Sequence, residues 1–432
     1  MKTIKPHVFS FLKMLGAFSP LLLLALRFGV WGFFVVFAVL LVHFKSFKVF
    51  VFKEKLLIHR GFIFKTTREI FKNRISFISI DAPFFLRLFK IFRVSFYSDF
   101  NKTLSLYLNE RNTAFILKEF SSGIRKKRHS PKFVSLLFLS LVFSNSLAGV
   151  GIIFAFLWQL KKVLSFFGKQ LPHPTAINLS LSLLIFLLFF SWVVSALSTL
   201  LKNLRFSISL NGETLRIKSG VITVRRSVVC LKDVSFFCAK ENLFGKILGI
   251  SKVFVKLQTS KNCALVPSIK RQDIPLFLNE FLPKFKLLSP TLSPDPSAFL
   301  GFVFPSAFVY FLITVSTVVS IKLFPDFSKS SAFLGVVGLV VTAWFCVLKI
   351  IDFFTTGIAR ESNLFSLHYS KGFSLYKVTI LREAIVFVEF RQSIIQRIFK
   401  KCDVFVHTKG GLKHHVKNLN LQNAVKILKE DF

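Results

Sequence analysis

The sequence predicts an α+β membrane protein: six transmembrane helices in three hairpins, each hairpin followed by a small antiparallel β-sandwich or open barrel capped by a C-terminal helix. Three observations predict it. The chain repeats, its repeated polar parts alternate like half-buried strands, and the stretches between them are apolar over membrane-spanning lengths. The repeat is position by position. Glu54, Leu56, Ile58, Gly61 and Ile63 fall on Glu213, Leu215, Ile217, Gly220 and Ile222; at the same offset Ile75-Ser76-Phe77 falls on Val234-Ser235-Phe236, and Val94 on Val253. A third copy joins with small adjustments through Phe365, Leu367, Gly372, Ile385 and Val404. So long a period describes a triplicated module, not a solenoid unit.

Of the 432 residues 53% are hydrophobic and 59 are Phe, and the mean hydropathy of +0.61 places the chain among integral membrane proteins. A spanning helix needs about 20 mostly apolar residues. Residues 9–26, 133–160, 176–201, 298–323 and 331–351 meet this; residues 30–44 are short and span only if His43 and Lys45 reach the interface or the bilayer thins. The domains expected from these bounds are hairpins at 1–44, 133–201 and 298–352, and β-rich segments at 45–132, 202–297 and 353–432. The N-terminal apolar run continues into a second helix without a small-residue cleavage site, so it reads as a retained anchor.

The net charge is +39. Segments 45–132, 201–297 and 353–432 carry 20, 16 and 13 of the 59 Lys and Arg, and the cations near span ends lie mainly on their side. The positive-inside rule then puts these segments and both termini in the cytoplasm. Attraction to an anionic inner leaflet and plain topology both account for the charge. Nucleic acid is not an expected partner, because the cations are scattered among strand residues with no accompanying motif. Five cysteines without a Cys-x-x-Cys pair suit free thiols in a reducing compartment.

Each β-rich segment opens with short alternating runs and Gly-marked turns, as in Phe206–Leu210, Asn211-Gly212 and Thr214–Lys218. Each closes with an amphipathic helix, expected at residues 113–120, 274–282 and 421–428. Phe277, Leu278 and Phe281 are candidate buried positions, as are Val425, Ile427 and Leu428, with Asn420 as cap. A basic stretch at 121–131 and a proline-rich one at 289–296 read as hinge-like linkers at the membrane surface.

Few residues carry chemistry. No catalytic, phosphate-loop or metal-ligand motif is present, so no enzyme activity, cofactor or metal is expected. His414 and His415 would point to opposite faces of a strand, which suits surface histidines better than ligands. The sparse intramembrane polar residues, Asn145, Asn178, Ser180, Ser191 and the inner-edge Asp352, weaken a transport path. Arg125, Lys126, Lys127 and Arg128 read either as contacts to anionic lipid or as topology determinants. Arg391, Gln392, Gln396 and Arg397 read either as a contact surface for a partner or head group, or as residues that fix a loop.

Residues 391–411, RQSIIQRIFKKCDVFVHTKGG, resemble the core of the membrane-flanked bacterial pleckstrin-homology-like domain family. Residues 243–255, LFGKILGISKVFV, and 85–96, FLRLFKIFRVSF, are related, although copies one and three lack a glycine at the place of Gly249. With a helix pair before each copy, the layout resembles the three-copy, YdbT-like membrane proteins. The resemblance implies a PH-like fold in each copy, two packed sheets and a C-terminal helix, in the cell membrane of a bacterium. It does not imply phosphoinositide binding, because the turns Lys53-Glu54-Lys55 and Asn211-Gly212-Glu213 are short and partly acidic. The expected function is a multi-pass membrane scaffold whose PH-like domains bind a protein partner or anionic lipid head groups in the bilayer. The alternative is a transport or export component using the helix bundle.

Overall fold

The computed structural model describes all residues except 1, 28, 53, 62–64, 99–100, 121–124, 143–180, 258–261, 326–327, 373, 410 and 430–432. It divides into two units, Met1–Asp233 and Val234–Phe432.

Unit 1 opens with strand β1 (Lys2–Ile4) and helices α1 (Val8–Ala17), α2 (Ser19–Leu26) and α3 (Val30–Ser46). Copy one follows as β2 (Lys48–Val51), β3 (Lys55–Arg60), β4 (Thr66–Phe71), β5 (Ile75–Ala82), short α4 (Phe84–Leu88), β6 (Ile91–Ser98), β7 (Asn101–Asn109) and α5 (Glu110–Phe120). Then come β8 (Arg125–His129), α6 (Phe133–Val142), α7 (Leu181–Asn203) and the first three strands of copy two, β9 (Ser207–Asn211), β10 (Thr214–Ser219) and β11 (Val224–Cys230).

Unit 2 continues copy two with β12 (Val234–Asn242), short α8 (Leu243–Ile247), β13 (Ile250–Leu257), β14 (Asn262–Lys270) and α9 (Ile274–Phe281). Helices α10 (Phe299–Leu323) and α11 (Ser328–Thr355) lead to copy three: β15 (Gly357–Glu361), β16 (Leu364–Lys371), β17 (Ser374–Leu381), β18 (Ile385–Arg391), short α12 (Ile394–Ile398), β19 (Lys401–Thr408), β20 (Leu412–Asn420) and α13 (Leu421–Lys429). The same element order therefore recurs three times, including a 3-10 turn between the third and fourth strands. The cap at Asn420 is present: its Oδ1 accepts from the Gln422 and Asn423 amides. Gly220 shows why a turn fixes its residue. Its φ is +88° and an added Cβ would lie 2.1 Å from the Thr223 carbonyl oxygen.

The sheets do not follow copy boundaries, which corrects the expectation of three self-contained sandwiches. In unit 1 a four-stranded sheet, β1-β2-β3-β4, faces a seven-stranded one ordered β7-β6-β5-β11-β10-β9-β8. Strand β5 of copy one thus pairs with β11 of copy two, Phe77 opposite Val229. In unit 2 the six-stranded sheet runs β14-β13-β12-β17-β16-β15, and β12 of copy two pairs with β17 of copy three, Phe236 opposite Ile380. Phe236 is the repeat equivalent of Phe77, so the two joints share one register. The physical reason lies in the strands. Every residue from Ile75 to Ile80 is buried, as is every residue from Val234 to Ala239. Strands covered on both faces belong in the middle of a sheet, with both backbone edges paired. The cores follow: Val228 of copy two packs with Ile78, Val94, Leu108 and Ile116 of copy one, while Phe236 and Cys238 pack with Phe365, Val404, Val416 and Leu428 of copy three.

Both expected linkers are pinned. Residues 125–129 form edge strand β8 against β9, and Leu292 exchanges backbone hydrogen bonds of 2.9 Å with Ile358. The second is held because Gly357 lies so close to Leu292 and Pro290 that a Cβ would come within 2.6 Å of both.

Among the described residues two helices are long and apolar enough to cross a membrane, Pro296–Leu323 and Gly338–Thr355. A third crossing exists if α1 and α2, bent by 64°, count as one. The six expected spans are therefore not all found. Residues 9–26 break at Phe18, where φ and ψ leave the helical range and Pro20 starts the second helix. Helix Val30–Ser46 is too short by the same criterion. Residues 143–180, with Asn145, Asn178, Ser180 and most of the middle hairpin's turn, lie outside the described residues.

Candidate functional site

After the fourth strand of each copy a short helix turns back into the fifth, and in all three copies it presents large apolar side chains to solvent. In copy one Phe85, Leu88 and Phe89 are 75%, 64% and 72% exposed. In copy two Phe244, Ile247 and Leu248 stand out, and in copy three Ile394, Ile398 and Phe399. Cations accompany them: Arg87 and Lys90, Lys246, and Arg397 and Lys400. The turn that ends each knob places Lys90, Gly249 and Lys400 at φ of 55°, 64° and 53°. Copies one and three thus keep the left-handed turn with lysine where copy two has glycine, at a cost of roughly 1 kcal/mol.

Each knob adjoins an apolar helix. Arg87 Nη1 donates to the Val221 carbonyl at 2.9 Å, and the Val221 amide donates to Leu201 in α7. Phe244 packs on Trp344 of α11 with ring centroids 4.9 Å apart. Gln396 Nε2 donates to Asn418 Oδ1 at 2.7 Å, and Asn418 lies against Gly301 in the first turn of α10.

Two cationic grooves lie at helix feet in unit 1. One, of about 450 Å³, is lined by Lys13, His43, Arg60 and Arg93 together with Met14, Phe44 and Tyr107. The other, of about 430 Å³, is lined by Arg128, Arg205 and Lys218 with Phe133, Leu136 and Phe206. Among the described residues neither has a carboxylate in its lining. Cations beside apolar walls, without an internal counter-ion, suit an amphiphilic anion.

The residues singled out in the sequence divide. Arg128 lines the second groove, and Lys127 lies beside it on β8; of Arg125 and Lys126 only the backbone is described, on the same strand. Arg397 is exposed on its knob. Gln392 and Gln396 are used by the fold. Gln392 Nε2 donates to the Lys401 carbonyl at 2.6 Å, and Gln396 also donates to Asp403 Oδ1 at 2.7 Å. Arg391 pairs with Glu389 and stacks over Phe405. His415 bonds Asp403 at 2.9 Å; together with bonds from the Asn418 amide and Gln396, this holds the Asp403 carboxyl below its ordinary range against the opposing effect of burial. His414 corrects the surface reading. It is buried against Phe236 and Tyr369, and burial lowers its pKa to about 4. Among the described residues no group of three potential ligands could hold a metal.

The knobs were missed as contacts, although their signal is local: a non-alternating run such as Phe84-Phe-Leu-Arg-Leu-Phe-Lys90 after a strand. The grooves leave no such signal, because Lys13, Arg60 and Arg93 come from different elements.

The bacterial PH domain family matches residues 10–122 and 308–430, more than half of the chain. The chain belongs to the bacterial PH domain family. Both matches begin inside a helix and run through the strands to the terminal helix of a copy, α5 or α13, so the family's extent includes part of the hairpin. Copy two lies outside the matched stretches and keeps the family's element order. No curated protein matches the chain.

Proposed function

We propose that this bacterial PH domain protein is a non-enzymatic, multi-pass membrane adaptor. Its PH-like copies lie on the cytoplasmic face of the cell membrane and bind anionic lipid head groups, presenting the remaining domain surface to a protein partner. The observation that carries this reading is the knob repeated three times: exposed Phe, Leu and Ile beside Arg and Lys, next to apolar helices. Patches of that composition are stable in the head-group and acyl boundary, where the apolar groups leave water and the cations meet lipid phosphates. Burial of one such side chain contributes about 1.5–3 kcal/mol, and each cation near the surface about 1 kcal/mol. The grooves supply the head-group contacts.

The test uses the full chain in nanodiscs with an environment-sensitive fluorophore at Phe89→Cys, Ile247→Cys or Phe399→Cys. A blue-shifted probe, quenched by lipid-borne spin labels and more strongly with phosphatidylglycerol than with phosphatidylcholine, is expected. A probe quenched only by water-soluble agents would overturn the reading.

A further inference from the structure

The chain joins its copies twice by the same device: the fourth strand of one copy pairs with the third strand of the next, β5 with β11 and β12 with β17. That series leaves one half-joint at each end. Among the described residues β4, the third strand of copy one, ends its sheet, and β18, the fourth of copy three, ends its own. Both show the missing neighbour. Glu69 is exposed and Ile70 half-buried, whereas Val228 and Val229 at the equivalent places in β11 are buried. Val386 and Phe387 are 56% and 49% exposed, whereas their equivalents Ser76 and Phe77, and Ser235 and Phe236, are buried.

We infer that β18 of one molecule pairs with β4 of a second copy of this chain, repeating between molecules the joint made twice within each. The shared register places Phe387 opposite Ile70, Val388 opposite Glu69 and Glu389 opposite Arg68. Phe387 takes the place of Phe77 and Phe236, and Ile70 that of Val229 and Ile380. The irregularity between Ile385 and Phe387 in β18 is also the one seen at Ile75/Phe77 and Val234/Phe236. The charge pair is particular to the new joint. Its places are held by Ser79 and Ser227 in the first internal joint and by Cys238 and Val378 in the second. Opposite charges directly across strands favour that pairing and register over others. The edge backbone supplies the hydrogen bonds, as in strand addition generally. The contact is head to tail, so it propagates or closes into a ring.

Two differently tagged populations of the full chain, one Arg68→Cys and one Glu389→Cys, are mixed in detergent and treated with a short bis-maleimide. A product carrying both tags, formed only when both substitutions are present, is expected. Light scattering on the unmodified chain should show concentration-dependent association. Arg68→Glu should weaken it about tenfold, and Arg68→Glu with Glu389→Arg should restore it. Arg68 is exposed on an edge, so its variant tests the contact without touching the core; Val388→Cys with Glu69→Cys replaces the first pair if Glu389→Cys unfolds. Absence of the doubly tagged product from chains that keep the parent thermal transition overturns the inference. So does association indifferent to Arg68→Glu, or recovery of a different protein's strand on β18.

Discussion

The feet of the first and third hairpins answer their cations differently. In unit 1 Lys13, Arg60 and Arg93 line an open groove with no carboxylate in its wall. In unit 2 the corresponding region is closed from within. Asp352, 3% exposed, receives hydrogen bonds from Thr356 at 2.8 Å, from Lys349 at 3.2 Å and from Ser370. A cation at a hairpin foot thus stands either without a carboxylate in the groove wall or beside the protein's own, and on the proposed reading the first foot is a binding surface and the second a fixed joint.

The most severe way to break this comparison is Asp352→Ala. It leaves Lys349 half-buried without its counter-ion and strips Thr356 and Ser370 of an acceptor. Losing one partner of a buried pair costs about 3–5 kcal/mol, and thermal unfolding of the full chain in detergent should show it. A loss under about 1 kcal/mol would mean that packing, not charge, closes the foot.

Acid should act on unit 2 through its buried histidines. His368 and His414 both titrate near 4, lowered chiefly by burial, with Lys377 and Arg271 near the first and Lys256 and Lys371 near the second. Unfolded histidines titrate near 6.5. Between those values the unfolded chain binds more protons, so stability is present above about pH 6.5 and is lost as pH falls towards 4. The slope is about 1.4 kcal/mol per pH unit for each histidine. Hydrogen exchange across pH 7 to 4.5 should show strands β16 and β20 deprotecting, and His414→Gln should flatten the response.

A gentler substitution converts an open foot into a closed one. Lys218→Glu gives the second groove of unit 1 an internal carboxylate within reach of Arg128 and Arg205. It changes the charge by two units, worth about 2 kcal/mol at a membrane surface. Retention of phosphatidylglycerol should fall roughly thirtyfold at low salt, with stability unchanged; undiminished retention would remove the groove from the binding surface.

The smallest effect compares the knobs. Lys400→Gly should stabilise copy three by about 1 kcal/mol by relieving its left-handed turn, while Gly249→Ala should cost copy two a similar amount. Space is open around Gly249, so any cost there is conformational. If Lys400→Gly also weakens membrane attachment, the strained lysine is kept for its charge.

What could be read from the sequence was local or repeated. Turn residues at Asn211-Gly212, the Asn420 cap and the buried face Phe277, Leu278 and Phe281 all stand where short-range patterning put them. Strand partners did not show, because pairing of Ser79 with Ser227 is decided by which edges remain unsatisfied, not by either strand's neighbours. In α13 the buried residues include Ala424, which periodicity of large side chains overlooks, while Val425 is only partly covered. His414 was misplaced because alternation gives its side of the strand but not what covers that side, here Phe236 from the preceding copy.

Sharing strands between copies also constrains how the chain can be made. Strand β5 leaves the ribosome with an open edge, and its partner Val224–Cys230 is made only after residues 83–223 have followed. At about 5–20 residues per second that wait is on the order of ten seconds, during which an apolar edge able to recruit any passing strand stays uncovered. Helices α6 and α7 are made in the same interval. Under the proposed membrane role, delivery to the bilayer and completion of the sheet are steps of one timetable, and a delay in the first prolongs the hazard in the second.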